Sequence, residues 1–237
     1  MFNLNASISI VLPVYNEENN LQNLLYEWNV ALKDAKIIYE FIIVEDGSTD
    51  NTKEIISSLE KNYPLVNLSQ NKRRGYTQAV LDGITSANGD YILCTDSDNQ
   101  IKIDSLISCL DKLPNENEFL IGCRSPRKDP LVRIFYSKLF KILHDLLFNS
   151  KLKDPSCPFV LGKKETFQKL PLEELRKMKE GFWWGFVGVA ILNKIKFQEI
   201  IIKHYSRIEG ESLYKFSKLF GIIFRNTFGL FRIKFKI

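Results

Sequence analysis

Hydrophobic residues in the first half of the chain fall into two alternating patterns. Unbroken apolar runs predict buried strands, whereas apolar residues three and four positions apart predict helices. The runs place strands at residues 8–14, 41–44, 65–68, 91–95 and 119–123. The helical spacing covers residues 17–33, a segment around 55–59, 75–87 and 101–113. Strands that alternate with helices favour an α/β fold with a mostly parallel sheet covered on both faces.

Two polar segments are expected to begin helices. Glu17 and Glu18 fall in the first turn of the first predicted helix, where the helix dipole favours acidic side chains. Thr49 or Asp50 is placed to cap the helix that follows the second strand.

The second half of the chain is less regular. Residues 131–148 predict a helix that is apolar except for a narrow polar stripe at positions 133, 137, 141 and 144. Residues 159–162 and 197–203 predict strands, and residues 181–194 predict an aromatic-rich helix. From Ser212 onward, Phe, Leu and Ile alternate with Lys and Arg.

Polar clusters follow the first, second and fourth predicted strands. In parallel sheets ligands bind outside the carboxyl ends of the strands, so these clusters are expected to meet at one edge. The cluster after the fourth strand is Asp96-Ser97-Asp98-Asn99-Gln100. Its carboxylates, with the Gln100 carbonyl oxygen, can converge on Mg²⁺ or Mn²⁺, which take oxygen ligands and substrate phosphate oxygens. Such an ion neutralises a leaving diphosphate.

The other two clusters suit a nucleotide, although each has a simpler interpretation. In Val44-Glu45-Asp46-Gly47-Ser48 a carboxylate could accept hydrogen bonds from a base or ribose, and Gly47 permits a tight turn. In Pro13-Val14-Tyr15-Asn16-Glu17 the tyrosine could flank a base and the glutamate accept from it. The alternatives are a helix-capping loop and an ordinary strand-to-helix turn.

Charge and cysteine usage narrow the choice of partners. Residues 122–153 and 201–237 each contain eight Lys or Arg against two Asp or Glu. Such stretches could bind anionic lipid, nucleic acid or a phosphorylated substrate, and the simpler alternative is that they are two solvated helix faces. No recognised nucleic-acid-binding module accompanies them. The four cysteines lack CxxC spacing, which argues against zinc and favours reduced thiols.

Membrane contact is expected to be peripheral. Residues 1–7 lack the apolar core of a secretory signal, and no run of 18 apolar residues predicts a spanning helix. Residues 131–148 and 213–237 instead combine apolar and basic side chains, as in helices that lie in the headgroup region. The alternatives are a core helix and a solvated or dimerising tail.

Four segments together resemble glycosyltransferase family 2, most closely its dolichol- or polyprenyl-phosphate sugar transferases. They read IVLPVYNEENNL, IIVEDGSTDNT, RGYTQAVLDGITSANGDYILCTDSDNQ and IGCRS. The resemblance is strong over residues 7–125 and weaker to residue 213. It implies a GT-A domain over residues 1–211, with a nucleotide part to about 122 and an acceptor part from 123, followed by a tail over 212–237.

The resemblance also implies roles for individual positions. The nucleotide pocket is expected to be lined by Pro13, Tyr15, Glu17, Val44 and Asp46. The donor diphosphate and metal are expected at Asp96, Ser97 and Asp98, with Gln100 completing the metal site. Arg124 matches an arginine that faces the acceptor phosphate, and Arg207 matches one near the donor diphosphate. With Asp98, these two arginines are the expected catalytic residues.

Three departures from the family pattern affect the acceptor side. Ser156-Cys157-Pro158 stands where a Gly-Gly pair is usual. Leu213 stands where a lysine is usual, so that one phosphate contact is either missing or supplied by Lys215. The helix at 181–194 lacks the acid that many members have. These changes leave the metal motif intact.

The reaction predicted from these features is an inverting transfer of a sugar from a UDP- or GDP-sugar to a polyprenyl or dolichyl phosphate at the cytoplasmic membrane face. A phosphate acceptor is already ionised and needs no strong base, whereas a hydroxyl acceptor does. Between Asp98 and Arg207 the obvious candidates for that base are Asp129, Asp154 and the Glu173-Glu174 pair. The alternatives are transfer to a glycan hydroxyl and a non-catalytic relative that only binds; a homo-oligomer or a membrane-protein partner is left open.

Overall fold

The computed structural model describes residues 6–178, 180–206 and 219–236. Its strands are β1 (Ser7–Val14), β2 (Ile38–Glu45), β3 (Leu65–Asn67), β4 (Tyr91–Thr95), β5 (Glu118–Arg124), β6 (Phe159–Lys163) and β7 (Lys196–Ile202). Its helices are α1 (Leu21–Asp34), α2 (Thr52–Leu59), α3 (Tyr76–Ser86), α4 (Asp104–Ile107), α5 (Leu131–Phe148), α6 (Lys164–Gln168), α7 (Phe182–Leu192) and α8 (Leu219–Phe235).

The seven strands form one sheet in the order β3-β2-β1-β4-β6-β5-β7. All neighbours run parallel except β6, which is antiparallel to both β4 and β5. Seven of the eight residues of β1 are buried, so both faces of the sheet centre are covered. This confirms the predicted α/β class and the mostly parallel, doubly covered sheet.

Two predicted helices differ from the structure. Glu17 and Glu18 precede α1, which begins at Leu21, because the backbone N–H of Glu17 donates to Thr52 Oγ1 (2.9 Å) and fixes a separate turn. The helix predicted at 101–113 is reduced to α4 and a short 3₁₀ turn. Ile101 and Ile103 are both buried, a two-residue spacing that one helical face cannot bury.

Helices α5, α7 and α8 pack against one another, and Phe186 of α7 packs on Phe119 of β5. The α7 helix is almost wholly buried, and Leu230 and Ile233 of α8 belong to the same core. The tail is therefore docked on the domain through α8. The predicted boundary at residues 211–212 lies outside the described residues.

The α5 helix buries a histidine and exposes apolar side chains, which is the reverse of the usual arrangement in a surface helix. His144, part of the predicted polar stripe, is fully buried, and its Nε2 lies 3.0 Å from the Trp184 carbonyl oxygen. Burial lowers the pKa of His144 to about 4, so the ring is neutral at pH 7. The exposed side carries apolar residues instead: Val132, Phe135, Leu139, Ile142 and Leu146.

Candidate nucleotide-sugar site

The polar clusters predicted to meet do lie at neighbouring strand ends. Strands β2, β1 and β4 are adjacent and parallel, so their carboxyl ends share one edge. The backbone N–H of Asp46 donates to the Val14 carbonyl (2.9 Å), and Ser97 Oγ donates to the Pro13 carbonyl (2.8 Å). These bonds join the three loops into one continuous surface.

Asp96 and Asp98 form the acidic part of this surface. Burial raises the pKa of Asp96, and the nearby Asp98 carboxylate raises it further. A hydrogen bond from the Tyr76 hydroxyl to Asp96 Oδ1 (2.6 Å) and the charges of Arg124 and Arg133 oppose that rise. Two carboxylates that repel each other in a half-buried position are the arrangement that a divalent cation would relieve.

Gln100 is oriented by the segment that follows β7. Its side-chain Nε2 donates to the backbone carbonyl of Tyr205 (3.1 Å). The backbone N–H of Tyr205 in turn donates to the backbone carbonyl of Gln100 (3.0 Å). The amide nitrogen is thereby occupied and the side-chain oxygen is left as an acceptor. Within residues 6–178, 180–206 and 219–236, no three Asp, Glu, His or Cys side chains are arranged to hold a metal. Two carboxylates and one amide oxygen instead suit an ion that also takes phosphate oxygens.

Asp46 organises the loop that precedes α3. Its carboxylate accepts hydrogen bonds from the backbone N–H groups of Arg74 (2.6 Å) and Gly75 (2.8 Å). Gly47 has a φ of +72°, and a Cβ there would lie 2.6 Å from the Arg73 backbone nitrogen. The glycine therefore permits the close approach of the backbone at Lys72 and Arg73.

The expected nucleotide pocket is bordered by an arginine that the sequence did not indicate. The Arg73 guanidinium carbon lies 3.9 Å from the centroid of the Tyr15 ring. Its Nε lies 3.9 Å from Asp46 Oδ2. Stacking of this kind places a positive charge against the aromatic surface predicted to flank a base.

The remaining residues of the expected nucleotide pocket are less accessible. Pro13 and Val44 are buried within β1 and β2. Glu17 is also buried, and its carboxylate accepts a hydrogen bond from Asn20 Nδ2 (2.7 Å). Glu17 therefore stabilises the turn between β1 and α1.

An arginine cluster lies beside the acidic pair. It consists of Arg124, Arg127 and Arg133, and their partners are Asp129 and Asp154. Arg124 at the end of β5 is buried in a bidentate pair with Asp154, with Nε–Oδ2 at 2.7 Å and Nη2–Oδ1 at 2.9 Å. The predicted acceptor-facing arginine is thus held in place by an internal carboxylate.

Arg127 and Arg133 are the more accessible members of the arginine cluster. Arg127 donates from Nε and Nη2 to Asp129 Oδ2 (2.9 and 2.7 Å), and Arg133 lies 3.0 Å from the other Asp129 oxygen. His204 faces the same arginine cluster. Its pKa is lowered to about 4, chiefly by burial and to a lesser extent by repulsion from the charge of Arg124. Three arginines against two aspartates leave a net positive charge.

Sequence reasoning therefore missed Arg73, Tyr76, Arg127 and Arg133. Tyr76 lies within a segment that carried the family resemblance, but its contact with Asp96 spans 20 residues. Arg207 and the segment at Glu209–Ser212 lie outside the described residues, as do Leu213 and Lys215. Their predicted phosphate contacts stay predictions.

The sheet topology and the acidic loop after β4 define a GT-A type nucleotide-diphospho-sugar-transferase fold. The chain matches a mannosyl-3-phosphoglycerate synthase from Rubrobacter xylanophilus with a TM-score of 0.68 and 15% identity, over 97% of this chain and 74% of that one. It matches a Mycobacterium tuberculosis glucosyl-3-phosphoglycerate synthase in complex with Mn²⁺, UDP-glucose and phosphoglyceric acid with a TM-score of 0.69 and 17% identity, over 98% and 81%.

The chain belongs to glycosyl transferase family 2, whose model matches residues 9–171. It is 27% identical to a dolichol-phosphate mannosyltransferase of Pyrococcus furiosus over 224 residues, 90% of this chain and 60% of that protein. It is also 27% identical to an undecaprenyl-phosphate 4-deoxy-4-formamido-L-arabinose transferase of Shewanella sediminis over 220 residues, 92% and 64% of the two chains. The chain thus spans less than two thirds of the length of these relatives.

Proposed function

We propose that the protein transfers a sugar from a UDP- or GDP-sugar to a polyprenyl or dolichyl phosphate at the cytoplasmic face of a membrane. The observation that carries this proposal is the position of the arginine cluster. The charges of Arg124 and Arg133 act on Asp96, and Arg133 is the neighbour of the exposed Val132 in the first turn of α5. A lipid held on α5 would bring its phosphate to these arginines.

The donor side rests on Asp96, Asp98 and Gln100. These residues would hold Mg²⁺ or Mn²⁺, which supplies charge neutralisation for the leaving diphosphate when it is bound. The protein's own contribution is to fix the oxygen donors, through Tyr76 on Asp96 and Tyr205 on Gln100. The glucosyl-3-phosphoglycerate synthase that shares the fold was crystallised with Mn²⁺ and a nucleotide sugar, which supports this assignment.

A phosphate acceptor, which needs no base, also fits the state of the candidate bases in the part of the chain that the structure describes. The hydrogen bonds and charges of the arginines outweigh burial and lower the pKa values of Asp129 and Asp154, so both stay ionised and engaged. Glu173 pairs with Arg176 on the exposed surface. Aromatic residues fill the part of α7 where many family members carry an acid. Nucleophilic attack would invert the anomeric carbon without prior deprotonation.

A membrane surface is proposed as the partner of α5 and α8. Together the two helices expose the five apolar residues of α5 and four phenylalanines of α8: Phe224, Phe228, Phe231 and Phe235. The described part of α8 contains no acid and carries Arg225, Arg232 and Lys234. No helix in the described chain is both long and apolar enough to cross a membrane. The combination fits a surface that lies in the headgroup region of an anionic bilayer.

Sugar transfer tests the proposal directly. Purified protein is incubated with Mn²⁺, radiolabelled UDP- and GDP-sugars, and undecaprenyl or dolichyl phosphate. We expect label to enter the organic phase with at least one donor. Transfer only to a water-soluble glycan would instead establish a hydroxyl acceptor, and nucleotide binding without transfer to any acceptor would indicate a non-catalytic relative.

Replacing Phe224, Phe228 and Leu139 with serine should weaken binding to anionic vesicles by at least about tenfold. The three side chains are 49–74% exposed, so their loss removes apolar surface from the membrane contact with little effect on the core. Each fully inserted side chain contributes roughly 1.5–3 kcal/mol. Vesicle sedimentation across a lipid titration measures the partition coefficient.

The matched control replaces Tyr26 and Val30 with serine. These residues are also exposed and apolar, but they lie on α1, which packs against α2. This variant should bind vesicles as the natural chain does, and equal losses in both variants would refute the assignment of the surface. Deleting 213–237 is a less specific test, because it also removes the core residues Leu230 and Ile233.

A further inference from the structure

A chain of two hydrogen bonds connects α7 to the acidic pair. Trp183 Nε1 donates to the Tyr76 hydroxyl oxygen (2.8 Å), and that hydroxyl donates to Asp96 Oδ1 (2.6 Å). The direction of both bonds is fixed by chemistry, because an indole N–H can only donate and a carboxylate can only accept. Trp183 therefore occupies the acceptor side of the tyrosine oxygen, and the hydroxyl hydrogen is directed to Asp96.

Trp183 is itself held rigidly at the beginning of α7. Its ring packs edge-on against Phe182 and Phe186, with centroids 4.9 and 5.6 Å away. Gly181, the residue before the helix, has a φ of +67°, and a Cβ there would lie 2.7 Å from Asn226 Nδ2 of α8. The indole N–H is thus preoriented by close packing on both sides.

The start of α3 is held in the same way. Thr77 Oγ1 donates to the Met178 carbonyl (2.6 Å), which ties the residue after Tyr76 to the segment that leads into α7. The Tyr76 ring packs edge-on against Phe182, with centroids 6.2 Å apart. These contacts hold the tyrosine against the same segment that carries the tryptophan.

We propose that Tyr76 and Trp183 are positioning residues that fix one oxygen of Asp96 and thereby orient its carboxylate toward the metal. This inference rests on the proposed metal site. Asp96 can rotate about two side-chain bonds, and binding an ion would require that freedom to be lost. A hydroxyl that engages Oδ1 before the ion arrives reduces the loss. Trp183 contributes by preventing the hydroxyl from turning away.

The test measures Mn²⁺ binding rather than activity. The Kd of Mn²⁺ is determined from the EPR signal of the free ion, with the full chain and saturating UDP or GDP. Tyr76→Phe removes only the hydroxyl and should weaken binding by about 10- to 100-fold, the range for groups that orient metal ligands. Trp183→Phe should produce a smaller loss. In the double variant the tryptophan change should add nothing, because Trp183 acts through the hydroxyl.

Two controls separate positioning from general destabilisation. Tyr39→Phe removes a comparable hydroxyl, which donates to Asn29 Oδ1 (2.6 Å) far from the acidic loop. Trp184→Phe alters the neighbouring indole, which packs on Phe140 and His144. Both should leave the Kd within twofold. Unchanged binding in Tyr76→Phe would overturn the positioning role alone, whereas a natural chain that binds no Mn²⁺ with either nucleotide would overturn the metal site itself.

Discussion

Asp98→Asn should lower kcat for sugar transfer by at least about a thousandfold while the protein stays folded. Asparagine keeps the size of the side chain and can still accept the backbone hydrogen bond from Gln100, which measures 3.1 Å. It removes one of the two charges that would hold the divalent ion. Metal-assisted charge neutralisation contributes several kcal/mol, and each 1.36 kcal/mol corresponds to a factor of ten in rate.

The measurement is kcat at saturating donor and Mn²⁺, with thermal unfolding to confirm the fold. Asp111→Asn provides the matched control, because Asp111 is exposed in the 3₁₀ turn after α4. That variant should transfer sugar at the natural rate. Activity of Asp98→Asn within tenfold of the natural chain would contradict the assignment of Asp98 to the metal site.

The strands were predictable because their sequences are nearly continuous apolar runs. The run at 91–95 matches β4 without adjustment, and the helical pattern at 131–148 matches α5. The direction of β6 was not predictable, since an apolar run indicates burial but not orientation. Its antiparallel pairing with β4 and β5 joins β5 and β7 to the sheet on the side of β4 that faces away from β1.

Two parts of the candidate site were predictable: the meeting of the three polar loops, which follows from parallel strand ends, and the acidic loop, which is local in sequence. Asp96, Asp98 and Gln100 follow one strand, so their proximity to each other required no knowledge of the fold. Tyr76 and Trp183 lie 107 residues apart, and their contact depends on how α3 packs beside α7. The orientation of α5 was not predictable for the same reason. It depends on the contact between buried His144 and the Trp184 carbonyl, which lie 40 residues apart.

The buried pair of Arg124 and Asp154 changes the predicted role of Arg124. A guanidinium that was expected to face the acceptor phosphate is satisfied by a carboxylate and by Ser156 Oγ (2.8 Å). Its charge still acts on the site, since it opposes the raised pKa of Asp96. We therefore propose that Arg124 shapes the electrostatic field around the acceptor phosphate and that the more exposed Arg127 and Arg133 contact it.

Asp154→Ala should reduce the free energy of unfolding by about 3–5 kcal/mol at pH 7. The change leaves the Arg124 guanidinium buried without its partner, and removing one member of a buried pair costs more than the pair contributes. Urea denaturation followed by circular dichroism gives the difference. Asp145→Ala is the matched control, because Asp145 pairs with Lys141 on the partly exposed side of α5 and should cost less than about 1 kcal/mol.

The same carboxylate predicts how stability depends on pH. Burial alone would raise the pKa of Asp154, but the hydrogen bonds and charge of Arg124 outweigh it and lower the pKa below its usual value. A lowered pKa in the folded state stabilises the fold above the unfolded-state value of about 3.9, and this contribution is lost as the pH falls through the folded-state pKa. The natural chain should therefore lose its advantage over Asp154→Ala below about pH 4. An advantage that persists undiminished at pH 2 would show that the variant is destabilised by lost packing rather than by the unpaired arginine.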